Sequence, residues 1–126
     1  AKKLYPHFKE CFCYEFDGKI IFCSHGGLNF LPKNPQELSF VCSEDLINGV
    51  GTYEESKEIA QQFCQNTKKN VYQLFGHRNR NKLPIQIAER VFLCEGKVDA
   101  GGFLRVVSLS KKGFECEEIK NSVFRK

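Results

Sequence analysis

The chain has 126 residues, the size of one domain, and 41% of them are hydrophobic and 27% charged, as in ordinary folded proteins. A formal net charge of +4 is too small to mark a nucleic-acid binder, and ten Gly and four Pro without a repeat exclude collagen-like and low-complexity classes. No apolar run approaches the ~18 to 20 residues that cross a bilayer, and the start lacks the apolar core of a secretory signal. We therefore expect a cytoplasmic protein without a membrane segment.

A β-hairpin is predicted near the start of the chain. Residues 11–16 have the aromatic-rich composition of a strand, and Asp17-Gly18 fits a two-residue type I′ turn that leads into a second strand at 19–23. Apolar residues at consecutive positions of this second strand predict burial on both of its faces. The strand runs directly into a polar loop at 24–28, which contains His25.

The middle of the chain is predicted to contain the one main helix. An irregular stretch at 29–39 and a short helix at 43–47 precede a glycine-containing break. Thr52 is followed three residues later by Glu55, which is the pattern of a capping box, and the apolar residues after it recur at helical spacing. The pattern predicts a helix at about 53–65.

The remainder of the chain is predicted to be mostly strands. A strand at 71–75 ends at a polar loop, 76–82, which contains His77. Further strands are predicted at 85–88, 90–94, 103–110 and 114–119, with turns at 101–102 and 112–113. Strands outnumber helices and no linker divides the chain, so we predict one strand-rich α/β (α+β) domain over residues 1–126.

Seven cysteines occur without a Cys-x-x-Cys pair or a regular spacing. An odd number of irregularly spaced cysteines argues against a disulfide framework and against a structural zinc site. We expect most of them to be buried thiols. Cys11 and Cys13 alternate along a predicted strand, so they should point to the same face and pack there as small hydrophobic residues.

Two of the three histidines occur in the same context, just after a predicted strand and beside glycine: His25 before Gly26, and His77 after Gly76. Loops at strand ends often carry ligands and catalysts, and imidazole is a common ligand for Zn, Mn and Fe. The two histidines can meet only if the fold brings their strand ends together. The simpler alternative is that each is a solvent-facing loop histidine.

Two strings around these histidines carry a family resemblance. Ile-Ile-Phe-Cys-Ser-His-Gly-Gly-Leu at 20–28 and Phe-Gly-His-Arg at 75–78 resemble the last two metal-ligand motifs of the calcineurin-like metallophosphoesterases, the superfamily of Ser/Thr protein phosphatases and diadenosine tetraphosphatases. The segments 46–53 and 98–107 are similar to the C-terminal portion of bacterial and phage members that resemble the phosphatase of polynucleotide kinase-phosphatases. The resemblance covers about residues 8–120 and implies part of a β-sandwich flanked by helices.

The resemblance also implies a metal-dependent phosphoester hydrolase, in which His25 and His77 are ligands of the second of two divalent metal ions. Mn²⁺ is the expected metal, with Fe, Zn or Ni as alternatives. Paired cations bind phosphate oxygens and lower the pKa of a water that attacks phosphorus. Arg78 would contact a phosphate oxygen, which a guanidinium matches in geometry, or would be a solvated loop cation. The resemblance assigns Gly26, Gly27 and Asn79 to the substrate loop.

The sequence departs from the family by lacking its other ligand motifs, Asp-x-His, Gly-Asp and Asn-His-Glu. Two neutral imidazoles cannot hold and charge-balance two dications, which also require carboxylate oxygens. We therefore expect the C-terminal half of a metallophosphoesterase domain, a truncated domain with half of the active site and inactive alone. Its expected partners are the N-terminal half or a second copy of the chain, and a phosphoester substrate: a phosphoprotein, a nucleotide or a nucleic-acid end.

Two other functions are consistent with the sequence. In the first, the chain is a non-catalytic module derived from this fold that binds nucleic acid or protein through the basic loop 78–82 and the basic C-terminus at 120–126, with salt-dependent phosphate contacts. In the second, it is a small regulatory or structural domain in which both histidines are incidental.

Overall fold

The computed structural model describes residues 9–32, 41–80 and 82–124. It contains a five-stranded sheet, a separate two-stranded hairpin and one main helix. The prediction of a mixed α/β, strand-rich domain is confirmed. Within the described ranges no helix is both long and apolar enough to cross a membrane. The irregular stretch predicted at 29–39 lies largely outside the described residues.

The first hairpin consists of β1 (Cys11–Phe16) and β2 (Lys19–Ser24), as predicted. Asp17 and Gly18 have φ angles of 51° and 75°, the left-handed values that a type I′ turn requires at both central positions. The strands pair antiparallel from Phe16 and Lys19 onward. Ile21 and Phe22 are both buried, so β2 is covered on both faces.

The sheet has the order β1-β2-β3-β5-β4, in which β3 is Val71–Phe75, β4 is Gln86–Ala88 and β5 is Val91–Leu93. β2, β3 and β5 are parallel, while β1 and β4 pair antiparallel at the two edges. The parallel pair β2 and β3 is joined by a crossover that contains the helices. Parallel neighbours bring their carboxyl ends to the same edge of the sheet.

The crossover contains α1 (Ser43–Asn48), a single 3-10 turn (Tyr53–Glu55) and α2 (Ser56–Asn66). The predicted capping box is present, since the Glu55 side chain accepts a hydrogen bond of 2.7 Å from the backbone N–H of Thr52. The helix prediction at 53–65 is therefore confirmed, with a 3-10 first turn. The buried face of α2 packs on β3 and β5 in a cluster formed by Ala60, Phe63, Phe75, Val91 and Leu93.

The second hairpin consists of β6 (Phe103–Ser110) and β7 (Gly113–Lys120), which pair antiparallel. It attaches to the five-stranded sheet through Phe114, whose ring centroid lies 4.8 Å from that of Tyr72 and 4.7 Å from that of Phe92. Arg105 adds a hydrogen bond of 3.1 Å to the carbonyl of Leu93. The two long strands predicted at the end of the chain are confirmed.

The expectation that most cysteines are buried is wrong. None of the seven is fully buried: Cys13, Cys42 and Cys116 are exposed, and the other four are partly exposed. All seven thiols are free, as predicted. For Cys11, Cys13 and Cys116 the physical reason is position, because β1 and β7 place these thiols near sheet edges that no other described element covers completely.

Candidate functional site

The two histidines that the sequence predicts as site residues lie together at the carboxyl ends of β2 and β3. Ser24 and Phe75, the last residues of β2 and β3, are partners in the parallel register, so the loops that follow them begin side by side. Nε2 of His25 and Nδ1 of His77 form a hydrogen bond of 3.0 Å, and the ring centroids are 4.6 Å apart. A backbone hydrogen bond of 3.0 Å from Gly76 to the carbonyl of His25 joins the two loops.

The loop that carries His25 is fixed by Gln73 on β3. Gln73 is completely buried, and its Oε1 accepts a hydrogen bond of 2.8 Å from the N–H of Leu28. Its Nε2 donates a hydrogen bond of 3.0 Å to the carbonyl of the same residue. One side chain thus satisfies both backbone groups of a buried loop residue, and this holds the end of the loop against the sheet.

Gly26 and Gly27 are buried where the loop meets the chain after α1. A Cβ at Gly26 would lie 2.6 Å from the carbonyl carbon of Asn48, and closer still to the backbone nitrogen of Gly49. A Cβ at Gly27 would lie 3.0 Å from the ring of Phe75. The structure therefore gives both glycines a packing role, because two backbone segments approach each other here. Their predicted role in leaving room for metal and substrate stays a prediction.

Tyr53 is part of the site, although the sequence analysis did not single it out. Its hydroxyl lies 2.5 Å from Nε2 of His77, and the two rings meet edge to face with their centroids 5.3 Å apart. A tyrosine at the start of a capped helix carries no sequence signal for this contact. The contact joins positions 24 residues apart and depends on how the crossover lies against the end of β3.

His77 has a φ angle of 68°, in the left-handed region that non-glycine residues seldom adopt. Partial burial lowers the pKa of His77, and the positive charges on His25 and Arg78 lower the same pKa further, whereas Glu95 opposes the shift. The shift favours the neutral imidazole. A neutral imidazole is the form that binds a metal ion.

Arg78 is buried, with a relative exposure of 1%. Its Nη1 donates a hydrogen bond of 2.6 Å to the carbonyl of Val50, and its Nη2 donates to the carbonyl of Thr52. The guanidinium therefore ties the His77 loop to the segment that precedes Tyr53. The predicted phosphate contact would require these nitrogens to leave their carbonyls, and the alternative of a solvated loop cation is wrong, because the side chain is enclosed.

Asn79 holds the loop and also lines the cavity beside His77. Its Oδ1 accepts a hydrogen bond of 2.7 Å from the N–H of Leu83, and its Nδ2 donates one of 2.9 Å to the carbonyl of Glu95. Arg80 is an exposed cation of this loop. It lies over the Tyr53 ring at 5.2 Å from the centroid and pairs with Glu54 at 3.1 Å.

A cavity of roughly 370 Å³ opens beside His77, and its lining includes Tyr53, His77, Asn79, Arg80, Glu95, Lys97 and Asp99. Charges of both signs therefore face this space. The cavity gives a small polar molecule access to the side of His77 that faces Tyr53.

The spacing of the histidine nitrogens fits one shared metal ion. Two nitrogens that each bind an ion at about 2.0 to 2.1 Å, with an angle of about 90 to 110° between the bonds, are about 2.8 to 3.4 Å apart. The observed separation of 3.0 Å lies within this range. Among the described residues no group of three or more His, Cys, Asp or Glu side chains could hold a metal ion. The assignment of His25 and His77 as metal ligands therefore stays a prediction.

Comparison with known proteins finds no match: no family model matches this sequence, and neither a curated protein nor a solved structure is significantly similar to it.

Proposed function

We propose that the chain supplies two histidine ligands of a divalent metal site in a phosphoester hydrolase. The observation that carries the proposal is the pair formed by Nε2 of His25 and Nδ1 of His77, 3.0 Å apart at the carboxyl ends of adjacent parallel strands. The order of the two motifs along the chain, and the helix-containing crossover between them, agree with the resemblance to the metallophosphoesterases.

The residues of the chain have defined tasks in this proposal. His25 and His77 bind the ion, Gln73 fixes the first loop, and Arg78 fixes the second. A bound divalent ion would polarise a phosphate oxygen and lower the pKa of a water. Mn²⁺ is the proposed metal, with Fe, Zn or Ni as alternatives. Arg80 is exposed on the rim of the adjacent cavity, whereas Arg78 is enclosed. In this proposal Arg80 therefore binds the phosphate, by exchanging its exposed pairing with Glu54 for a phosphate oxygen.

The finer fold assignment, part of a metallophosphoesterase β-sandwich, belongs to the same proposal. Helices cover one face of the five-stranded sheet, and the β6–β7 hairpin covers part of the other through Phe114. On that second face, β1 presents a row of aromatic side chains, Phe12, Tyr14 and Phe16, which are all exposed. An apolar row that continues a packed face supports a further layer, which the N-terminal half of the domain or a second copy would supply.

The first experiment looks for the carboxylate ligands that the present sequence lacks. The proposal predicts that the reading frame upstream of Ala1 encodes Asp-x-His, Gly-Asp and Asn-His-Glu. A polypeptide with these motifs, mixed with the present chain, should restore Mn²⁺-dependent hydrolysis of p-nitrophenyl phosphate.

Histidine variants make this assay specific. His25→Ala and His77→Ala should each reduce hydrolysis to the background, since each removes a metal ligand. Lys111→Ala, in the exposed turn between β6 and β7, should leave the activity unchanged. Unchanged activity in both histidine variants would remove these residues from the site. The substrate class, a phosphoprotein, a nucleotide or a nucleic-acid end, and the cytoplasmic location stay predictions.

The alternative of a non-catalytic binding module relies on the basic loop, and the geometry weakens it. Of the three cations of this loop, Arg78 is enclosed, and only Arg80 and Lys82 are exposed, so the loop presents fewer accessible cations than its sequence indicates. An RNA affinity that falls steeply with added salt and is independent of Mn²⁺ would favour the binding module over the hydrolase.

A further inference from the structure

We propose that Tyr53 is the positioning residue for His77: with an ion bound, its phenolic oxygen accepts the proton on Nε2 of His77 and keeps Nδ1 directed at the ion. The inference rests on the proposed function, because Tyr53 acts only through His77 as a ligand. It assigns a role to a side chain that would not itself touch the ion.

The two ring nitrogens of His77 have different partners. Nδ1 faces His25 at 3.0 Å, and Nε2 faces the hydroxyl of Tyr53 at 2.5 Å. Each nitrogen has one partner, and the partners lie on opposite sides of the ring. Rotating the imidazole about its Cβ–Cγ bond would break both contacts at once.

The position of one proton links the two sides. A neutral imidazole carries a single ring proton, so Nδ1 can bind an ion only when that proton lies on Nε2. The Tyr53 oxygen is then the acceptor that faces it. A hydroxyl can donate or accept by rotating its own proton, so Tyr53 can serve His77 in this state without moving its ring. Outer partners of metal-bound histidines fix the tautomer and the ring orientation in this way.

Tyr53 is itself held rigidly enough for this task. It occupies the first position of the capped 3-10 turn, which the Thr52 and Glu55 contacts fix. The Arg78 guanidinium lies 5.5 Å from the centroid of its ring and binds the carbonyl of Thr52, the residue before it. His77 has a left-handed backbone conformation, which a non-glycine residue keeps only when its surroundings hold it. The contacts of Tyr53 and Arg78 are part of those surroundings.

The test uses the ¹⁵N-labelled chain with Zn²⁺, a diamagnetic probe that imidazole binds well. Long-range ¹H–¹⁵N spectra of the zinc-bound wild type should show the proton of His77 on Nε2, with slowed exchange with water. In Tyr53→Phe that proton should exchange freely, and zinc should bind about 10- to 100-fold more weakly. Tyr72→Phe, which removes a hydroxyl from β3 outside the site, should match the wild type in both respects.

The possible failures are distinguishable. Zinc that shifts the nitrogens of both histidines equally in wild type and Tyr53→Phe, with equal affinity and an equally protected Nε2 proton, would overturn the role of Tyr53 alone. Zinc that leaves the nitrogens of both histidines unshifted in the wild type would overturn this role and the proposed metal site together. The wild-type spectrum tests the hydrogen bond directly, so the test stands even if Tyr53→Phe does not fold.

Discussion

Gln73 is the residue on which the placement of the His25 loop depends most clearly. Replacing it with Leu conserves the approximate volume but removes both hydrogen bonds to Leu28, of 2.8 and 3.0 Å. A buried backbone group left without a partner costs about 1 to 3 kcal/mol. Two such groups therefore cost about 2 to 6 kcal/mol, and the apolar side chain recovers about 1 to 2 kcal/mol.

The net expectation for Gln73→Leu is a loss of about 2.5 kcal/mol in the free energy of unfolding, the difference between the midpoints of the two ranges, about 4 and about 1.5 kcal/mol. This is a large share of the about 5 to 15 kcal/mol typical of a domain. Urea denaturation followed by circular dichroism measures it, because the chain contains no Trp for fluorescence. Gln86→Leu is the matched control: Gln86 is exposed on β4, so its loss should stay within about 0.5 kcal/mol. A Gln73→Leu variant as stable as Gln86→Leu would refute the assigned role of the buried amide.

Three further predictions address the site and its surroundings. Gly26→Ala should destabilise the fold by about 1 to 3 kcal/mol because its Cβ would meet backbone, whereas Gly76→Ala, with its nearest atom 3.9 Å away, should change stability by less than about 1 kcal/mol; equal losses in thermal denaturation would contradict the packing. The ring of His77 should titrate below about 6.5 by NMR, so that folding stability falls as the pH drops from about 6.5 toward the lowered pKa; a midpoint at or above 6.5 would oppose this. Partial burial raises the pKa of the Cys23 thiol to about 11, so iodoacetamide at pH 8 should modify the exposed Cys42 much faster than Cys23. Equal rates of modification in peptide mass spectra would contradict the partial burial of Cys23.

The elements that the sequence predicts correctly are those with local causes. The turn at Asp17 and Gly18 needs two left-handed residues, which this pair supplies, and the cap at Thr52 and Glu55 closes within three residues. Both features could therefore be predicted from a few neighbouring residues. The exposure of the cysteines could not be predicted in this way, because it depends on which sheet edges the rest of the fold covers.

The site is only partly visible in the sequence for the same reason. Each histidine could be placed after a strand, but their contact requires β2 and β3 to be parallel neighbours across 52 positions. Gln73 and Tyr53 contact the site across 45 and 24 positions, and neither side chain belongs to a recognisable motif. Arg78 was expected near a phosphate because it follows His77, but the carbonyls of the neighbouring loop enclose it.

If His25 and His77 bind one divalent ion together, the ion should be visible between them in a crystal. An anomalous difference map from crystals of the chain soaked in Zn²⁺, which imidazole binds more tightly than Mn²⁺, tests this. We expect a single peak at bonding distance, about 2.0 to 2.1 Å, from both Nε2 of His25 and Nδ1 of His77. A map in which these nitrogens remain hydrogen-bonded to each other, with no ion between them, would contradict it.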